Sequence, residues 1–257
     1  MPNTTNPFVW YDAMTTDMKA AEKFYHSVVG WDIKDSGMPN TTYSILSMGT
    51  TMVGWLMPIP EDARAMGVQP SWMGYIGVDD VDDYAKRVKA AGGAIHREPA
   101  DIPGVGRFAV AGDPQGAGFI LFKPNTDQAP TPAPMATPGQ VGWRELHAGD
   151  GPGAFTFYSN LFGWTKDQAM DMGAMGVYQT FKTASEQGGG MMTKSAETPQ
   201  PHWLYYFNVD AIDAAAKRVT DAGGKVVNGP MPVPGDMWIV QALDPQGAMF
   251  GLLAPKR

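Results

Sequence analysis

The segment AAEKFYHSVVGW, residues 20–31, decides the fold because it returns as AFTFYSNLFGW at residues 154–164. Its Phe-Tyr pair recurs after 133 positions, and the turn DPQG that begins at Asp113 recurs at Asp244, after 131 positions. A repeat of this length is far longer than the units of about 50 residues or fewer that build solenoids. Each copy is therefore expected to be a folded body with its own core.

Composition limits the class of protein. The chain has 257 residues, 44% of them hydrophobic and 18% charged, which is typical of globular domains. Its net charge of −7 and its pI of about 5.0 argue against nucleic acid as a partner, since nucleic-acid binders cluster Lys and Arg. The sequence has neither an 18-residue apolar run nor a secretion signal, so no membrane partner and a cytoplasmic location are expected.

The absence of cysteine narrows the possible chemistry. With 0 Cys, the chain has no thiolate nucleophile and no disulfide, and His, Asp and Glu are left as candidate metal ligands. There are only 4 His residues, so each can be considered by position.

A proline-rich stretch separates the two copies. Residues 124–140, PNTDQAPTPAPMATPGQ, contain five prolines and almost no large apolar side chain, which favours an extended linker. The predicted domains are therefore residues 1–123 and 141–257.

Each copy contains two helices set among short strands. Asp17 is placed to cap a helix that runs to Val28 and ends at Gly30, and a second helix begins after Asp79 or Asp80. The second copy repeats the pattern, with helices predicted at residues 152–161 and 211–222. With the flanking strand-like runs, this predicts four βαβββ units, two per domain, and an α+β fold whose paired units curl around a cleft.

The chain resembles the vicinal oxygen chelate superfamily, which includes glyoxalase I, bleomycin-resistance proteins and extradiol dioxygenases. The resemblance rests on the repeated Phe-Tyr segments, on VDDVDDYAKRVKAAGG at residues 78–93 and VDAIDAAAKRVTDAGG at residues 209–224, and on the DPQG turns. It is most similar to the tandem, two-domain, glyoxalase-like branch found in bacteria. The resemblance implies a small-molecule cleft and a chain that is a monomer or a homodimer.

The resemblance also implies a divalent metal in many members, but the ligand positions are changed here. They fall on Trp10 and Trp143 on the first strands, on Met73 and Leu204 on the fifth strands, and on Ile120 and Gly251 on the closing strands. None of these side chains is a good ligand for a hard cation. We therefore expect no metal and no other cofactor.

Strand alternation identifies the residues that line the expected cleft. Trp10 and Asp12 share a face, as do Trp143, Glu145 and His147. Glu145 beside His147 suits a carboxylate-oriented general base, although a carboxylate that only braces the fold is an equal alternative. Indole, thioether and phenol groups suit flat apolar ligands. The predicted ligand-binding residues are Trp10, Asp12, Met73, Tyr75, Trp143, Tyr206 and Asn208.

The other histidines receive no chemical role. His202 precedes a strand and is expected to be exposed to solvent, and His26 and His96 have no acidic or nucleophilic companion in the sequence.

Three functions stay open at this point. The first, which we favour, is a metal-free protein that binds a small, planar, largely apolar molecule. The second is a lyase, isomerase or hydroxylase-like enzyme with Glu145 and His147 as catalytic acid and base, and with Tyr206 or Asn208 as a donor to an oxyanion. The third is a metal-dependent glyoxalase or dioxygenase-like enzyme whose ligands include Glu145 and His147.

Overall fold

The computed structural model describes residues 6–37, 42–125, 137–183 and 186–257, so most of the predicted linker lies outside the described residues. The α+β prediction and the four βαβββ modules are confirmed. The first half contains β1 (Phe8–Thr15), α1 (Met18–Val29), β2 (Asp32–Asp35), β3 (Ser44–Met48), β4 (Thr51–Pro58), α2 (Glu61–Ala65), β5 (Ser71–Gly77), α3 (Val81–Ala90), β6 (Ala94–Ile102), β7 (Gly106–Gly112) and β8 (Gly118–Pro124).

The second half follows the same course. It contains β9 (Val141–Ala148), α4 (Gly151–Phe162), β10 (Thr165–Asp171), a 3-10 turn (Gly173–Met175), β11 (Val177–Thr183), β12 (Glu186–Thr193), β13 (His202–Asn208), α5 (Ile212–Asp221), β14 (Lys225–Val233), β15 (Met237–Leu243) and β16 (Met249–Ala254).

Each half forms one mixed sheet of eight strands. The order is β2-β3-β4-β1-β5-β8-β7-β6 in the first sheet and β10-β11-β12-β9-β13-β16-β15-β14 in the second. Within every module the opening strand pairs in parallel with the closing strand, as β1 does with β4, and the remaining pairs are antiparallel. The opening strand of each module therefore lies near the middle of its sheet.

The helix ends follow the sequence signals. The carboxylate of Asp17 accepts a hydrogen bond from the backbone N of Ala20 at 3.1 Å, and Gly30 ends the helix in the left-handed region with φ of 90°. Asp80, rather than Asp79, caps α3 by accepting from the backbone N of Asp83 at 2.9 Å. No helix in the described part of the chain is long and apolar enough to cross a membrane.

The sequence prediction did not include α2, and it gave no range for β10. The five residues of α2 bury none of their side chains, so they carry no apolar periodicity to recognise. β10 is likewise largely exposed, and its pairing with β11 is interrupted between Lys166 and Ala169.

The contacts divide the chain into two compact units, and each combines modules from both halves of the sequence. The first unit contains the second module and the third (Arg144–Trp203). The second unit contains the first module (Tyr11–Met73) and the fourth (Leu204–Arg257).

The Phe-Tyr and DPQG motifs meet in the core of the first unit. Trp203 donates its indole N–H to the hydroxyl of Tyr158 at 2.9 Å, and that hydroxyl donates to Asp113 at 3.2 Å. The other carboxylate oxygen of Asp113 accepts from the backbone N of Gln115 and of Ala117. Burial raises the pKa of Asp113 above its ordinary value, against the lowering effect of these hydrogen bonds.

The second unit contains the same arrangement, built from the other copies of the motifs. Trp72 donates to the hydroxyl of Tyr25 at 2.8 Å, and Tyr25 donates to Asp244 at 3.0 Å. Burial raises the pKa of the Tyr25 phenol well above its usual value and also raises the pKa of Asp244. In each unit the two repeated motifs therefore take part in one buried hydrogen-bonded network that joins a Trp, a Tyr and an Asp.

The repeated segments at residues 78–93 and 209–224 each supply an arginine that holds a helix end within its unit. Arg87 on α3 donates to the carbonyl of Leu161 near the end of α4 at 2.9 Å, and Arg218 on α5 donates to the carbonyl of Val28 near the end of α1 at 3.0 Å. These arginines satisfy carbonyl groups that have no partner within their own helix.

Candidate functional site

Strand β9 carries the predicted acid–base pair in the first compact unit. Nε2 of His147 lies 2.7 Å from Oε1 of Glu145. Their side chains are only 13% and 11% exposed, so the pair is largely withdrawn from water. The structure thus brings these two residues into direct contact.

Tyr178 on β11 completes the surroundings of the carboxylate. Its hydroxyl donates to Oε2 of Glu145 at 2.9 Å. Its ring lies over Gly190, which is paired with Glu145 in the parallel register of β9 and β12, and a Cβ added at Gly190 would overlap that ring. Gly190 therefore leaves room for Tyr178 to reach Glu145.

His202 joins the cluster, and the prediction that it is exposed to solvent is wrong. Its half-buried ring stacks on that of His147, with centroids 4.9 Å apart and planes 6° from parallel. Nδ1 of His202 lies 3.0 Å from the carbonyl oxygen of Gln200, and Nε2 is buried without a hydrogen-bond partner among the described residues. Burial, before any other cause, lowers the pKa of His202 below its ordinary value.

The cluster can act as an acid–base site or as a polar anchor. A carboxylate that holds one nitrogen of an imidazole fixes the orientation of the ring and its tautomer. His147 is then suited to exchange a proton or to accept a hydrogen bond at its other nitrogen. Tyr178 and His202 were not identified from the sequence.

The second compact unit contains a hydrophobic cluster centred on its last module, called here the apolar floor. Leu204, Tyr206 and Leu253 form the buried centre of the floor. Half-buried side chains surround them, and these are Trp143, Val233, Met237, Ile239 and Met249. The predicted residues Trp143 and Tyr206 thus lie together in this unit.

A short polar network borders the apolar floor. Nε2 of Gln241 donates to the hydroxyl of Tyr206 at 2.7 Å, and Nδ2 of Asn228 donates to Oε1 of Gln241 at 3.2 Å. Gln241 is buried, so it is one of the few groups that give this apolar surface a polar edge. The sequence prediction did not include Gln241 or Asn228.

The remaining predicted residues lie in varied surroundings. Asp12 is buried on β1, and Tyr75 is buried against Phe122 with ring centroids 5.5 Å apart. Trp10 and Met73 are half-buried. The amide of Asn208 donates to the backbone carbonyl of Thr137 at 2.9 Å, and its own backbone pairs with Gly139 and Gln140, so its observed contacts hold the chain that leads into β9.

The donors that are present do not fit the metal site of the resembled superfamily. At Gly251, a closing-strand position where the resemblance implies a ligand, a Cβ would overlap the ring of Tyr206, so an aromatic ring fills the space beside this position. Glu145 and His147 direct their facing atoms at each other. Within the described ranges, no group of three or more His, Cys, Asp or Glu side chains is arranged to hold a metal ion.

A groove of about 400 Å³ lies elsewhere in the second unit, between α1 and α5. Its lining includes Lys23, Phe24, Arg218 and Asp221. None of the residues predicted to bind a ligand lines this groove, so it is separate from the predicted site.

Comparison with known proteins places the chain among relatives of the same organisation. The "Putative glyoxylase CFP32" of Mycobacterium tuberculosis (strain CDC 1551 / Oshkosh) is 34% identical over 252 residues, which cover 96% of this chain and 94% of that protein. The "Anthracycline biosynthesis protein DnrV" of Streptomyces peucetius is 30% identical over 258 residues, with 95% and 91% covered.

A solved structure shows the same fold at low identity. The 2,3-dioxygenase LapB from Pseudomonas sp. KL28 matches with a TM-score of 0.67 and 13% identity over 99% of this chain and 94% of that chain. The family model described as Glyoxalase/Bleomycin resistance protein/Dioxygenase superfamily matches residues 8–121 and again residues 140–252. The chain therefore belongs to the glyoxalase/bleomycin resistance protein/dioxygenase superfamily, with two glyoxalase-like domains in tandem.

Proposed function

We propose that this protein binds a planar, largely apolar small molecule on the apolar floor and needs no metal to do so. The observation that carries the proposal is the ring of Tyr206 over Gly251. The ring fills the space beside a position where the resemblance implies a metal ligand, and with Leu204 and Leu253 it forms the buried centre of the apolar floor. Half-buried Trp143 and the surrounding methionines supply polarisable contact area for a flat ligand.

The polar edge fits a ligand with a few oxygen atoms. Binding sites of this kind combine an apolar lining with a small number of polar groups that fix orientation. In the second unit, Gln241 and Asn228 supply those groups, and Asp12 remains a proposed anchor for the first half of the chain. Trp10, Met73 and Tyr75 are proposed as further ligand-binding residues. Anthracyclines are flat fused-ring molecules with several oxygen substituents, so the name of the Streptomyces relative is consistent with this ligand class.

Fluorescence anisotropy of an anthracycline, titrated with the protein, tests the proposal. Trp143→Ala should weaken binding at least tenfold. Trp238→Ala is the matched control, because Trp238 is also half-buried but alternates to the opposite side of β15 from Met237 and packs on Arg257 with 5.1 Å between guanidinium and ring. Equal affinities for the two variants, or no binding of the anthracycline or of other planar aromatic compounds, would reject the proposal.

A second candidate is an acid–base enzyme of the lyase or isomerase type, favoured by the 2.7 Å contact of Glu145 with His147. In this mechanism His147 takes a proton from a carbon next to a carbonyl group, and the proton is returned to a neighbouring atom of the same molecule. Glu145 stabilises the imidazolium that forms. His147→Ala should then lower kcat by at least a hundredfold for any substrate found, whereas an unchanged rate would remove this candidate.

A further inference from the structure

The tautomer of His202 is fixed by its backbone contact. A carbonyl oxygen accepts but never donates, so Nδ1, 3.0 Å from the oxygen of Gln200, carries the hydrogen. A neutral imidazole has only one N–H, which makes Nε2 an acceptor. That atom is buried, and no donor reaches it from the described residues.

His147 offers a second acceptor beside the first. Its Nε2 faces Oε1 of Glu145 at 2.7 Å, and the other oxygen of Glu145 already accepts from Tyr178. In the neutral form of His147 the hydrogen would therefore lie on Nε2, and Nδ1 would be left as an acceptor. Because the two rings are stacked 4.9 Å apart, the chain presents two parallel imidazoles, and each has one acceptor nitrogen in its neutral form.

The charges around His202 favour an uncharged ligand. Burial is the largest cause that opposes protonation of His202, and the ammonium group of Lys194 also opposes it, whereas the hydrogen bond to the carbonyl of Gln200 and the carboxylate of Glu145 favour it; the balance lowers the pKa. Lys194 directs its ammonium group to the carbonyl of Thr198 at 2.6 Å. The carboxylate of Glu145 would repel an anion in this largely buried place, so a neutral donor fits better than its conjugate base.

We propose that the stacked His147–His202 pair is a binding site for a neutral hydroxyl group on an aromatic or enolic molecule, with the O–H donating to Nε2 of His202. The flat rings of His147, His202 and Tyr178 suit a flat guest, and a donor would satisfy the buried nitrogen that the protein leaves without one. The site lies in the first compact unit and does not depend on the apolar floor. No bond is broken, and the proton stays on the oxygen of the ligand.

Histidine-selective ¹⁵N NMR with phenol and anisole as probes tests the proposal. The chain has 4 His, so its spectrum is simple and His→Gln variants assign it. Before any ligand is added, Nε2 of His202 should show the shift of an unprotonated nitrogen. Phenol should move that resonance saturably, and anisole, which has the same ring but no O–H, should leave it in place.

Two variants separate a binding role from a merely structural one. His202→Phe keeps a flat ring without the acceptor and should lower phenol affinity at least fivefold, as measured on His147. His96→Phe, at an exposed position, should leave the affinity unchanged. The proposal would be overturned by a protonated Nε2 in the free protein, by an equal response to anisole, or by no response to phenol. Anthracycline binding to Trp143 variants tests the proposed function separately.

Discussion

The ring of Tyr206 fills the space that a Cβ of Gly251 would take, and the two residues are direct partners in the parallel pairing of β13 with β16. Gly251→Ala should therefore lower the free energy of unfolding by about 1–3 kcal/mol, because the added methyl overlaps the ring. In a Tyr206→Ala background the same substitution should cost much less. Urea unfolding of the four proteins in this cycle measures the coupling. An equal cost in both backgrounds would mean that the ring does not occupy this space.

The Tyr-Asp hydrogen bonds of the two compact units should contribute similar amounts to the free energy of unfolding. Tyr25→Phe and Tyr158→Phe each remove a hydroxyl that accepts from a buried indole and donates to a buried carboxylate. Each variant should lose about 1–3 kcal/mol of unfolding free energy, since the groups left behind are buried without that partner. Urea titrations should give similar losses for both. A large loss in one variant and none in the other would contradict the duplicated role.

The glutamines of the two DPQG turns should differ in their contribution to the free energy of unfolding. Gln115 donates to the carbonyl of Asp150 at 2.9 Å and accepts from its backbone N at 2.6 Å, at the start of α4, where Asp150 makes no side-chain cap. The Oε1 atom of Gln246 has no hydrogen-bond partner among the described residues. Gln115→Ala should cost about 1–2 kcal/mol of unfolding free energy.

Gln246→Ala is the matched control for that substitution and should change the unfolding free energy by no more than about 0.5 kcal/mol. Thermal unfolding followed by circular dichroism compares the two variants. If Gln246→Ala is the more damaging substitution, the assigned role of Gln115 is wrong.

Stability should depend on pH through His202. Its pKa in the folded protein is lower than in the unfolded chain, where it is about 6.5. Below that pH the unfolded chain binds more protons, so the free energy of unfolding falls on acidification from about pH 6.5 down through the folded pKa. His202→Gln should show a smaller fall than the wild type in urea titrations across this range. His96→Gln, at an exposed position, should behave as the wild type, and an unchanged slope for His202→Gln would contradict the assignment.

Much of the fold could be predicted because its signals are local. Asp17 and Gly30 mark the ends of a helix, and the repeated motifs give the number of modules directly. The Trp-Tyr-Asp networks could not be predicted, because Tyr25 and Asp244 are 219 residues apart and only the folded unit brings them together. The first module groups with the fourth, and the second with the third, through contacts between residues that are likewise far apart in the sequence.

The candidate site was only partly predictable. Strand alternation placed Glu145 beside His147, which depends on neighbouring positions alone. The same alternation puts His202 on the face of Leu204 and Tyr206, which favours burial. Its position at the start of a strand favours exposure, and the sequence alone does not decide between the two. Tyr178 reaches Glu145 across Gly190, and a tyrosine lying over a glycine leaves no periodic pattern in the sequence.

The claim that binding needs no metal is tested most directly by the affinity for an anthracycline. It is measured on the protein as purified and again after dialysis against a chelator that is then removed, and both samples are analysed for their metal content. We expect equal dissociation constants and less than about a tenth of an equivalent of any transition metal, because the ring of Tyr206 fills the space beside Gly251, where the resemblance implies a ligand. Stoichiometric zinc, iron or manganese whose removal abolishes binding would contradict the account.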